Sequence, residues 1–117
     1  MINRAHRFHG YGSLRRVYSQ GHTARGPLFS IKAVANPRRQ TWRAAVVVSR
    51  KVHKSAVARN RIRRRLYAAV RAQDQSIREP VDIVLTVFND GVLLEPAESL
   101  AKQVERQLVA TGFIKQG

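Results

Sequence analysis

Arg59, Arg61, Arg63, Arg64, Arg65 and Arg71, with Asn60 among them, are the residues whose types and spacing promise chemistry most directly. They fall in the stretch "AVARNRIRRRLYAAVR", residues 56–71. A guanidinium is a planar fork of donors that pairs bidentately with phosphate oxygens and stacks on flat π-systems. A row of such groups is a surface for following a polyanion, and Asn60 adds a donor and an acceptor for finer contacts. Ordinary charged faces mix signs. This one has no acid in it, so no i,i+4 pair relieves the repulsion.

Other chemistries find little support. There is no Cys, which excludes disulfides and thiolate catalysis. His6, His9, His22 and His53 have no metal-ligand spacing with a second ligand. The seven carboxylates all lie at or beyond Asp74 and form no catalytic pair; Asp82 in a strand and Asp90 in a turn read as structural. No nucleophile elbow and no glycine-rich phosphate loop is present. The expectation is that no residue of the protein is catalytic, that no organic cofactor is bound, and that any metal ligands are unspecified.

The charge is segregated as well as large. The formal net charge is +15; residues 1–73 hold 18 of the 22 Lys and Arg and no acid, while residues 74–117 hold 4 basic and 7 acidic residues. Self-repulsion on that scale weakens a fold, so a polyanionic partner is the natural reason for it. With 117 residues and 44% hydrophobic content, the chain suits one domain with a modest core. No apolar run approaches a membrane span, and the opening "MINRAHRFHGYG" lacks a signal-peptide core. A cytoplasmic protein without a membrane partner is expected.

The elements that must position these residues follow from periodicity. Residues 1–12 read as a basic tail. "SLRRVYSQG" reads as a short helix capped by Ser13, with Leu14, Val17 and Tyr18 on one face and Gly21 ending it. Strands are expected at 28–35 and 42–49, joined through "NPRRQT" as an antiparallel hairpin. Ser55 caps a helix over about 55–72, whose stripe Ala58, Ile62, Leu66, Ala69 and Gln73 faces inward. Asn60, Arg61, Arg64 and Arg71 then lie opposite; Arg59 and Arg63 border the stripe on one side and Arg65 on the other. A central apolar strand is expected at 81–88. A last helix opens at Pro96, buries Leu100, Val104 and Leu108, and ends at Gly112. The order α-β-β-α-β-α suggests an α+β fold, a two-layer α/β sandwich. On the sheet's exposed side Tyr18, Phe29 and Trp42 are placed to stack unpaired bases beside Lys32, Arg50 and Lys51, although core burial is the better reading for Phe29 or Trp42 alone.

Residues 46–71, "VVVSRKVHKSAVARNRIRRRLYAAVR", resemble the signature of the protein subunit of bacterial ribonuclease P: an apolar strand, a Ser-Arg-Lys step, a short loop and an "A-x-x-R-N-x-I-K/R-R" helix. "RF…SLRRVYSQG" is similar to that family's N-terminal helix. The resemblance implies a left-handed β-α-β crossover through the arginine helix, where composition and pattern alone would default to right-handed. It implies a protein that binds a catalytic RNA and the single-stranded 5′ leader of precursor tRNA, with the RNA and Mg²⁺ performing the cleavage and one protein per RNA. By position, Arg59, Asn60, Arg61, Arg63, Arg64 and Arg65 match the catalytic-RNA helix, and Leu14, Tyr18, Phe29, Lys32, Ser49, Arg50 and Lys51 match the leader cleft. The sequence departs from the family pattern at Leu14, Lys32 and Arg50, and in the strand end "TVFND". The alternatives are a structural RNA-binding protein of ribosomal type and a protein nuclease, the latter without a carboxylate or His cluster to support it.

Overall fold

The computed structural model describes residues 11–77 and 79–114. Helix α1 (Tyr11–Gln20) leads into strands β1 (His22–Arg25), β2 (Phe29–Ala35) and β3 (Arg43–Val47). Helix α2 (Ala56–Arg71), strand β4 (Val81–Val87), a single 3₁₀ turn (Asp90–Leu93) and helix α3 (Ala97–Thr111) follow. The expected basic tail gives way to helix at Tyr11, two residues before the expected start at Ser13. His6 and His9 lie outside the described residues. Gly21 ends α1 as expected: its N–H donates to the Val17 carbonyl at 2.8 Å, and a Cβ there would stand 2.5 Å from that same oxygen.

The sheet order is β1-β2-β4-β3. Strand β4 is central and buried at six of its seven positions. It pairs antiparallel with β2 and parallel with β3. The expected hairpin between the second and third strands is therefore corrected. The partner of β2 at its other edge is β1, a strand that the sequence pattern does not predict. Of its four residues, His22, Thr23, Ala24 and Arg25, only Ala24 is buried. No apolar alternation marks it; pairing with β2 makes it a strand. Strand β3 instead reaches β4, which takes the central place because both its faces are apolar. Parallel neighbours need a crossover, and α2 supplies it between β3 and β4.

Two cores flank the sheet. The large one lies between one face and helices α2 and α3, and holds Phe29, Ile31, Trp42, Ile62, Leu66, Ile83, Leu85, Leu100, Val104 and Leu108. The stripe predicted for α2 is buried at Ile62, Leu66, Ala69 and Gln73, and the Leu100–Val104–Leu108 stripe of α3 is buried as predicted. Helix α3 begins one residue after Pro96, which caps it, and closes on Gly112 in the left-handed region at φ 90°. On the opposite face α1 seats Val17 against Val84, with Leu14, Val34, Ala45 and Val47 around them. Helix α1 covers only part of that face, and the remainder is where the candidate cleft lies.

One buried carboxylate ties α1 to the sheet. The Asp82 side chain is 1% exposed. Its Oδ1 accepts from Arg43 Nε at 2.8 Å, and its Oδ2 accepts from Arg43 Nη2 at 2.8 Å and Asn36 Nδ2 at 2.9 Å. Arg16 of α1 reaches the same Oδ2 at 3.5 Å and donates to the Ala35 carbonyl at 2.7 Å. The structural reading of Asp82 holds.

Candidate nucleic-acid interface

The local sequence explains how α2 starts. Ser55 Oγ accepts from the Ala58 N–H at 3.2 Å, the predicted cap. In the turn before the helix, the Ser55 N–H donates to His53 Nδ1 at 3.1 Å. From there the 3.6-residue period sets the faces. Asn60, Arg61, Arg64 and Arg71 are all exposed, and Arg59, Arg63 and Arg65 are all half-buried, as the borders of the stripe require.

The border arginines have partners within the protein. Arg59 Nη1 donates to the carbonyls of His53 at 3.0 Å and Lys54 at 2.9 Å, bracing the loop ahead of the helix. Arg63 Nη1 approaches Asn60 Oδ1 at 3.4 Å. Arg65 turns to the other side, toward the loop before α3. Its Nη1 donates to the carbonyls of Val92 at 2.6 Å and Leu93 at 2.8 Å, and its Nη2 to that of Glu95. That guanidinium is a clamp between α2 and the loop before α3. Arg61, Arg64 and Arg71 are the exposed arginines of α2, with Arg59 and Arg63 along one edge.

A second basic group stands at the helix N-terminus. Strand β3 ends at Val47, and Ser49, Arg50 and Lys51 follow in an exposed turn closed by the Val52 N–H on the Ser49 carbonyl at 3.1 Å. Together with Lys54 they place cationic side chains where the positive end of the α2 dipole already favours anions.

Behind this turn lies the open part of the sheet. Residues sharing the α1 side run in rows across the strands: Lys32, Val84 and Ala45 in one, Ser30, Thr86 and Val47 in the next. Tyr18 at the end of α1 is 44% exposed. Lys32 Nζ donates to the Tyr18 carbonyl at 2.6 Å and stands 5.8 Å from the Tyr18 ring centroid. Leu14 is half-buried beside Val17. So Leu14, Tyr18 and Lys32 share the α1 side of the sheet, and Ser49, Arg50 and Lys51 follow the end of β3 in the exposed turn. Phe29 does not. It is wholly buried in the large core, three residues from Lys32, and an odd spacing on a strand puts the two on opposite faces. Trp42 is also buried, with its Nε1 donating to Asp74 Oδ1 at 2.6 Å. Sequence pattern does not point to Arg25 and Phe88 at the far end of this face, because Arg25 belongs to the unpredicted strand β1.

Among the described residues no three His, Asp or Glu side chains converge to hold a metal ion. No helix among the described residues is long and apolar enough to cross a membrane.

Taken together, fold and surface define a small α+β protein with a cationic helix beside a half-covered sheet. A sequence profile of the family described as Ribonuclease P matches residues 2–111. The "Ribonuclease P protein component" of Chloroflexus aurantiacus is 37% identical over 103 residues, spanning 88% of this chain and 75% of that protein. That of Synechococcus elongatus (strain ATCC 33912) is 41% identical over 75 residues, spanning 64% and 61%. The fold matches the solved Staphylococcus aureus RNase P protein with a TM-score of 0.80 at 20% identity, covering 96% of this chain and all of that one. The Thermotoga maritima RNase P protein matches with a TM-score of 0.75 at 18% identity, covering 94% and 98%. The chain belongs to the ribonuclease P protein family. Its function is that of the protein component of ribonuclease P, in tRNA 5′ processing.

Proposed function

We propose that the exposed arginine face of α2 binds the catalytic RNA of ribonuclease P, while the open sheet face beside α1 holds the single-stranded 5′ leader of precursor tRNA. The observation that carries this reading is the juxtaposition of two surfaces of different chemistry. Arg61 and Arg64 stand exposed on an acid-free helix, and Tyr18 and Lys32 set a ring beside a cation on the sheet face next to α1, with Arg50 and Lys51 exposed in the turn after β3. The first surface suits a structured polyanion read through its backbone. The second suits an unpaired strand, whose bases stack while its phosphates meet cations. Cleavage is assigned to the RNA and its Mg²⁺, with the protein raising substrate affinity. One protein per RNA in the cytoplasm is the assembly this reading implies.

Tyr18 gives the test of the leader half. Loss of a base-stacking ring costs about 1–3 kcal/mol per base, roughly five- to 150-fold in affinity. Tyr18→Ala in the reconstituted holoenzyme is expected to weaken precursor tRNA by that factor and leave mature tRNA unchanged, measured by equilibrium binding. Equal weakening of both RNAs would remove Tyr18 from the leader surface.

A further inference from the structure

We propose that Phe88, with the Arg25 guanidinium laid over it, is a second stacking site for an unpaired nucleobase, at the end of the open sheet face away from α1. This rests on the leader reading above and extends it by naming where a further base is received. Strands β1, β3 and β4 run in the same direction, since β1 and β4 are each antiparallel to β2 and β3 is parallel to β4. Their C-terminal ends therefore meet at one edge of the sheet. Arg25 is the last residue of β1 and pairs with Ser30, which pairs with Thr86, which pairs with Val47. Two residues beyond that row come Phe88 after β4 and Ser49 after β3, with Arg50 and Lys51 next in the chain. Alternation along the strand puts Phe88 on the same side as Thr86 and Val84, the side that α1 only partly covers.

The chemistry at this edge is unusual for a surface that has only to stay soluble. Phe88 is a large apolar ring left 39% exposed, although the core begins at the adjacent Val87. Its backbone is held, the N–H donating to the Leu28 carbonyl at 3.1 Å, so the ring is presented from an ordered strand end. The Arg25 guanidinium carbon stands 4.5 Å from the ring centroid, in cation–π range, and Arg25 is itself exposed. Two flat groups are thus preassembled, one cationic and one aromatic. A nucleobase stacks on either kind of plane, and a phosphate next to it meets Arg25 on one side or Arg50 and Lys51 on the other. The distance suits a continuous strand. Phe88 lies four residues beyond Val84, the partner of Lys32, which is about 13 Å along β4. A single-stranded RNA crossing from Tyr18 and Lys32 over Thr86 reaches the platform without leaving the face.

Binding of short single strands to the full-length protein tests this directly. The probes are a uridine-rich hexanucleotide and an abasic strand of the same length and charge. Phe88→Leu is expected to weaken the base-bearing strand about fivefold or more and to leave the abasic strand unchanged, whereas Phe88→Tyr binds both as the parent does. A Phe88→Leu protein that binds both strands like the parent, or weakens both equally, overturns the stacking site. Thermal unfolding of each variant shows that the fold is kept. The source of the base is read separately, in the holoenzyme with precursor tRNAs of graded leader length. A Phe88→Leu loss that appears only once the leader exceeds a threshold length supports the leader. A loss already present with mature tRNA overturns the leader as the source, while the oligonucleotide result still decides whether the platform stacks a base.

Discussion

Asp82→Ala is expected to lower the stability of the protein by about 3–5 kcal/mol, a large part of the roughly 5–15 kcal/mol typical of a domain. The magnitude follows from where the carboxylate sits. Asp82 is 1% exposed and accepts both arms of Arg43, whose side chain is only 13% exposed. Removing the carboxylate takes both of its oxygens from that mostly buried guanidinium and leaves Asn36 Nδ2 without this acceptor. Breaking a buried pair from one side costs far more than the pair contributes net. Asp82→Asn recovers little, since one of its two acceptors becomes a donor facing Arg43, Asn36 and Arg16. The weaker Arg16 contact, at 3.5 Å with Arg16 about one-third exposed, adds little energy but anchors α1 over the sheet. Discrimination between precursor and mature tRNA should therefore fall along with stability. Urea unfolding of parent and variant measures the first effect; a change below about 1 kcal/mol would mean the pair is solvated in solution.

Replacing Arg61 and Arg64 together by alanine is expected to lower the salt slope of catalytic-RNA binding by about 1.4–1.8, at about 0.7–0.9 for each phosphate no longer neutralised. At 0.1 M salt that corresponds to roughly 25- to 60-fold weaker binding, converging on the parent as salt rises toward about 1 M. Arg65→Ala is the informative companion. Its guanidinium is engaged by the carbonyls of Val92, Leu93 and Glu95, so it should destabilise the fold while leaving the salt slope near that of the parent. If all three positions change the slope alike, the clamp seen for Arg65 opens when RNA binds. If Arg61 and Arg64 change nothing, α2 is a solvated face and the RNA binds elsewhere.

The contrast between those arginines shows which features a sequence can carry. Exposure along α2 is legible because the helical period orders residues around an axis without reference to neighbours. That is why Asn60, Arg61, Arg64 and Arg71 fall outward and Ile62 and Leu66 inward as expected. The fate of Arg65 is not legible: it lies on a border of the stripe, and its carbonyl partners come from a loop 27–30 residues later. Strand identity is readable from apolar runs, but strand partners are not. Nothing local to residues 28–49 reveals that β4 separates β2 from β3. Strand β1 lacks a local signal altogether, which hides Arg25 and with it the aromatic–cationic edge at Phe88. Phe29 is a different case. Period-two alternation relative to Ile31 and Lys32 already places it on the core side, and matching it to a family cleft overrides that parity.

If this chain acts in ribonuclease P by holding the catalytic RNA and the leader, precursor-tRNA cleavage must depend on it. The reaction pairs a bacterial ribonuclease P RNA with precursor tRNA at low Mg²⁺, with and without this protein, alongside the protein alone. Strong stimulation by the protein is expected, with cleavage at the mature 5′ end and none by the protein without RNA. Tight binding to a cognate catalytic RNA with no stimulation would contradict that role.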